Sequence, residues 1–369
     1  MRDFVIRVFL VAFIYLSNIY FVQAQESSPD LGQRLSIGLT GYYGFIDPNL
    51  ADLAYVLDSR PWLLELSVSA QTTGNKSWQQ LNGYPELGVA LLYGNSGSQE
   101  YIGHVTALVP YIQFPLFRSS RFYGNFRVGM GAAWVEKIFN PQTDYKNLII
   151  GSHLNFCANL MASAGMQVLP RTKLNIGLSL THISNGSMKL PNYGLNPVSI
   201  SAGITYDLHP QLKMIRTPIP TLEKKWDFFI YVLAAFKESY PLESPVYLVN
   251  IVNLEAMKDF SHTGRFGGGI NLTYDRALSK EEFNTPTYAF DGSKLKLEVA
   301  LYLAYEYVAG DLSFPVQLGC YVFDQYPVSA FYETAGIKYR ISKHWNVGGA
   351  VKAYLGHGDF IQWGFGYKF

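Results

Sequence analysis

Residues 294–307 read KLKLEVALYLAYEY and leave little choice of secondary structure. Leu295, Leu297, Val299, Leu301, Leu303, Tyr305 and Tyr307 fall on one side of a two-residue repeat. Lys294, Lys296, Glu298, Ala300, Tyr302, Ala304 and Glu306 fall on the other. A period of two means a strand, because successive side chains of an extended chain point to opposite faces. Fourteen alternating positions also exceed the usual strand of a soluble sheet. A strand that crosses hydrocarbon at a tilt needs that length.

The pattern recurs. Strands are expected near 35–46, 61–73, 84–95, 101–118, 121–137, 150–169, 172–184, 196–208, 226–238, 247–260, 265–274, 294–307, 312–323, 329–341, 344–354 and 360–369. Short connections such as Ser119-Ser120, Pro170-Arg171 and Ser342-Lys343 follow even-numbered strands. Longer ones, 47–60 and 275–293, follow odd-numbered strands. Short periplasmic turns and long external loops are the asymmetry of outer-membrane barrels. The exceptions, 74–83 and the Pro-containing stretch 209–225, both follow even strands. The expectation is an all-β, transmembrane, antiparallel up-and-down β-barrel of about 16 strands (14–16). Residues 25–208 form one half, 209–225 a connector and 226–369 the additional strands. One large ring is the favoured closure, with a separate C-terminal unit as the alternative.

Composition agrees. Charged residues make up 15%, aromatic residues also 15%, and there are 33 glycines. A soluble domain usually carries about a quarter charged residues. A net charge of +1 gives nucleic acid nothing to bind. Arg2 and Arg7 precede an apolar run from Val8 to Val22, and Val22-Gln23-Ala24 reads as a cleavage pattern. Residues 1–24 are thus expected to be a secretory signal peptide, with a mature chain from about Gln25. Cys157 and Cys320 are too few for a disulfide framework and read as small buried or wall-facing residues. The histidines outside the stretch discussed next show no metal-ligand spacing, and no cofactor or metal is called for.

One stretch carries candidate chemistry: 181–197, THISNGSMKLPNYGLNP. In TKLNIGLSLTHIS, the row Leu174, Ile176, Leu178, Leu180 is apolar and should meet lipid. His182 and Ser184 continue that row. Asn196 continues the corresponding row of the next strand, Val198, Ile200, Ala202, Ile204 and Tyr206. All three should therefore lie on the outer wall at the external end of one hairpin. Polar groups facing hydrocarbon are costly unless paired or functional. An imidazole two residues along the same face can accept the serine proton, which activates the hydroxyl. Asn185 and amides near Gly186 could donate to an oxyanion, and Asn196 could orient the imidazole. As a bare pattern, however, H-x-S-N followed by an Asn-Gly turn equally describes the polar end of a hairpin. Lys189 could meet an anionic group of a lipid or be a solvated loop residue.

His182, Ser184 and Asn185, followed by Pro191-Asn192-x-Gly194, resemble the signature of PagL-like lipid A deacylases, also called acyloxyacyl hydrolases. The resemblance covers mainly residues 35–208. It implies a serine esterase in the cell outer membrane that removes an ester-linked acyl chain from lipid A of lipopolysaccharide. By position it makes His182 the base, Ser184 the nucleophile, and Asn185 and Asn192 oxyanion or site-shaping residues. Two departures stand out. Asn196 replaces the acid of the best-known members, and the small members close with eight strands. The final strand, ending in Phe369, is similar to the C-terminal signal of outer-membrane proteins. The partners implied are lipid A in the outer leaflet and the outer-membrane assembly machinery, with a homodimer left open. The competing reading is a passive outer-membrane channel or transporter without catalysis.

Overall fold

The computed structural model describes residues 34–46, 55–209, 214–240, 244–278, 296–325 and 329–369. The expected signal segment lies outside them. Among the described residues sixteen antiparallel strands follow one another: β1 Leu35–Ile46, β2 Trp62–Gln71, β3 Glu86–Asn95, β4 His104–Arg118, β5 Phe122–Val135, β6 Leu154–Leu169, β7 Thr172–Ser184 and β8 Pro197–Asp207; then β9 Trp226–Lys237, β10 Tyr247–Ser261, β11 Gly264–Asp275, β12 Leu297–Ala309, β13 Leu312–Phe323, β14 Phe331–Arg340, β15 Trp345–Tyr354 and β16 His357–Lys368. A short helix, α1 (Ser77–Leu81), interrupts the β2–β3 connection. No helix among the described residues is long and apolar enough to cross a membrane.

The strand number and the up-and-down order are those the alternation implies. Their closure is different. The favoured single ring is replaced by two closed barrels of eight strands, β1–β8 and β9–β16. The reason lies at the seams. β8 pairs with β1 from Ser36↔Asp207 to Ile46↔Pro197, and with β7 on its other edge, so no edge remains for β9. β9 closes instead on β16, from Trp363↔Ala234 to Lys368↔Phe229. The intervening chain carries Pro218 and Pro220, which donate no ladder hydrogen bond. It straps back onto the first barrel, where Ile215 N donates to Thr73 O at 2.8 Å.

Alternation sets the two faces. In β7 and β8, Ile176 and Ile200 are 69% and 62% exposed, whereas Ser199 and Ser201 are 5% exposed and face inward. An eight-stranded ring has an interior that its own side chains just fill. In the first barrel Arg127 Nη1 donates to both Glu65 carboxylate oxygens at 2.7 and 3.0 Å, and Tyr42 donates to the same carboxylate. Toward the end bearing the long loops, Ile102, Val105, Val135, Ile149, Ile150, Ile183 and Leu195 form an apolar cap. The second lumen is crossed by ion pairs: Lys338 with Glu255 and Glu306, Lys352 with Glu298, and Lys237 with Asp275 and Asp359. Cys157 is buried and Cys320 is exposed on the wall, and neither forms a disulfide.

Candidate active site

The site sits where β7 ends and the chain turns into β8. His182 pairs across the sheet with Ala158, and Ser184 with Phe156. Both continue the outward row of Leu174 to Leu180. The imidazole Nε2 lies 2.8 Å from Ser184 Oγ, and its Nδ1 lies 2.6 Å from Asn196 Oδ1. An amide oxygen can only accept, so Nδ1 carries the proton. That tautomer leaves Nε2 with a free lone pair, and the serine hydroxyl donates to it. The geometry thus links the three groups in one direction: Ser184 to His182 to Asn196. Ser184 and Asn185 are both 6% exposed.

The intervening loop is tied down at both ends. Ile183 and Leu195 exchange backbone hydrogen bonds at 2.9 Å, an isolated bridge that continues the hairpin beyond the β7–β8 ladder. Between them the chain needs glycine. Gly194, at φ +76°, lies so close that a Cβ there would be 3.4 Å from Ser184 Cβ and 3.5 Å from His182 Cε1. Gly186 has φ +60°, and a Cβ would lie 2.8 Å from the backbone nitrogen of Ile361 in β16. Only glycine allows that left-handed turn to press against the second barrel.

The structure places each remaining candidate. The side chain of Asn185 is fully engaged: Nδ2 donates to Ser152 Oγ at 2.8 Å and Lys189 O at 2.9 Å, while Oδ1 accepts from Lys189 N at 3.2 Å. The Asn185 backbone N–H donates to Asn192 Oδ1 at 3.1 Å. Asn185 and Asn192 therefore brace the loop with their polar atoms. Lys189 is not a free cation; its Nζ lies 2.6 Å from Glu238 Oε1 at the end of β9. Among the described residues no group of three His, Cys, Asp or Glu side chains is placed to hold a metal ion.

Two contributors escape a reading of 181–197 alone. Ser152, in the loop before β6, supports Asn185, and nothing in its local sequence marks it. Glu238 was detectable. It continues the outward row of Phe228, Val232 and Phe236, so it is a wall-facing acid that calls for a partner.

Two family models match the chain. Residues 63–205 match the family model for lipid A 3-O-deacylase (PagL), and residues 224–369 match that for the acyloxyacyl hydrolase C-terminal domain. No curated protein matches the chain. Among solved structures, the outer membrane enzyme PagL is 19% identical, covering 45% of this chain and 97% of its own, with a TM-score of 0.30. Neisserial surface protein A is 12% identical, covering 47% and 96%, with a TM-score of 0.31. A mutant Rhodopseudomonas blastica porin is 9% identical, covering 91% and 100%, with a TM-score of 0.19. The two family models together span most of the chain and divide it where the structure does, between β8 and β9. The chain belongs to the PagL-like lipid A deacylase and acyloxyacyl hydrolase family of outer-membrane β-barrel proteins.

Proposed function

We propose that the protein is a serine esterase that cleaves an acyl ester of lipid A from the outer leaflet, with Ser184 as nucleophile, His182 as general base and Asn196 as the group that orients the imidazole. The observation that carries this reading is the relay of 2.8 and 2.6 Å on the outward wall. An acyl chain of lipid A lies in hydrocarbon, so an enzyme that attacks it without extracting it needs its nucleophile on the outside of the barrel. The site end carries the long loops, which supports a position at the external leaflet, since short turns face the periplasm in such barrels.

The steps follow from the atoms. Ser184 Oγ attacks the ester carbonyl while His182 Nε2 takes the hydroxyl proton. The amide N–H of Gly186, which has no hydrogen-bond partner among the described residues, supplies a donor for the oxyanion. Collapse breaks the ester C–O bond, and His182 returns the proton to the leaving sugar hydroxyl. Water then attacks the acyl-Ser184 ester with His182 again as base, and a fatty acid leaves. Asn196 holds the tautomer but brings no charge to the imidazolium. Turnover is accordingly slower than with a carboxylate at that position.

The channel reading has little support. Both lumens are crossed by ion pairs, and the first is closed toward the loop end by its apolar cap, while its other half holds a cavity of about 410 Å³ lined by Thr40, Ser67, Gln113 and Arg127. The test is purified protein mixed with lipopolysaccharide micelles. Wild type releases free fatty acid with time and Ser184→Ala releases none; equal release from both proteins rejects the assignment of the nucleophile.

A further inference from the structure

We propose that Glu238 of the second barrel is a positioning residue for the site loop of the first, so that the C-terminal barrel is part of the deacylase machinery and not a separate unit. This rests on the reading of Ser184 and His182 as the esterase pair. Glu238 directly follows β9 and is 4% exposed. It reaches three successive parts of the loop. Oε1 pairs with Lys189 Nζ at 2.6 Å, Oε2 accepts the Leu190 N–H at 2.8 Å, and its own N–H donates to Ser187 O at 2.8 Å. Asn185, next to the nucleophile, is bound to Lys189 through both its side-chain oxygen and its side-chain nitrogen. Gly186, the oxyanion donor of the proposal, rests against Ile361 of β16. The carboxylate therefore fixes the loop on one side and β16 supports it on the other.

The chemistry of the contact argues for a purpose. A carboxylate on the outer wall of a barrel would face lipid at considerable cost. Here it is covered by the loop of the other barrel and satisfied by a cation and a backbone amide, as a buried charge must be. The interaction requires both barrels to be folded and docked. Loop geometry is thereby made conditional on the second barrel. A small barrel working alone would have to hold the same loop with its own residues.

The experiment compares wild type, Glu238→Ala, Glu238→Gln and Glu238→Gln/Lys189→Met as full-length protein in detergent. Hydrogen exchange is followed at 187–190 and along the strands of both barrels, and fatty-acid release is measured in parallel. In Glu238→Ala we expect faster exchange at the Leu190 amide with the strands unchanged. We also expect kcat to fall by about 10²-fold, the scale of a small misplacement of reacting groups, with KM little altered. In Glu238→Gln the cation is left unpaired, and adding Lys189→Met restores most of kcat, because the glutamine oxygen still accepts from Leu190. Unchanged exchange at 187–190, or wild-type kcat despite faster exchange, overturns the proposal. So does a general loss of strand protection, which would make Glu238 a fold contact. If wild type itself releases no fatty acid, the esterase reading fails, and the exchange data still decide whether Glu238 holds the loop.

Discussion

The Nε2 atom of His182 accepts from the hydroxyl of Ser184 at 2.8 Å, although the two residues stand two apart on one strand. Same-face neighbours are separated by about 6.6 Å at Cα, so the imidazole must lean along the strand to reach the hydroxyl. Asn196 holds it in that lean from the facing strand's start. A serine so placed reacts with electrophiles that an ordinary surface serine ignores. Intact-mass analysis after treatment with a fluorophosphonate should show one adduct, on Ser184. His182→Ala should slow labelling by about 10²–10⁴-fold, the usual contribution of a general base. Labelling at an equal rate would show that the base is not working on this serine.

Asn196 invites a gain-of-function test. A carboxylate opposite Nδ1–H would stabilise the imidazolium that forms as His182 takes the serine proton. Asn196→Asp should therefore increase kcat, by at most about 10⁴-fold on the scale of the reverse change in serine proteases. Asn196→Ala should lower kcat, since nothing then fixes the tautomer. Initial rates of fatty-acid release by the three proteins check both statements. Equal kcat in all three would remove Asn196 from the relay.

The ion pairs across both lumens and the apolar cap of the first barrel predict an electrically silent protein. In planar bilayers wild type should show no steady conductance steps. Glu65→Ala leaves Arg127 buried without its carboxylate, which should destabilise the first barrel by about 3–5 kcal/mol. Thermal unfolding measures that loss. Porin-like steps from wild type would revive the transport reading.

Most of the strand plan was legible because it depends on local alternation. Residues 294–307 announce β12 without help from any neighbour, and the outward parity of 182 and 184 follows from Leu174 to Leu180. Closure was not legible. Whether β8 pairs with β1 or with β9 depends on tilt and stagger around a ring, and an alternating strand looks the same in either. The Pro-containing connector, with Pro218 and Pro220, marked the division without saying what each side would do. In the site, the His–Ser–Asn relay could be read from spacing and parity. The bracing of Asn185 by Ser152 and of Lys189 by Glu238 depends on loops and on the docking of two barrels, which no local pattern encodes. The same parity rule applied at residue 238 would still have flagged that acid.

The most direct measurement is mass spectrometry of lipid A extracted from cells that make either the wild-type protein or Ser184→Ala at matched levels in the outer membrane. We expect a species lighter by one acyl chain with wild type, and unmodified lipid A with the variant. Identical spectra from the two, with or without a shortened species, would contradict that expectation.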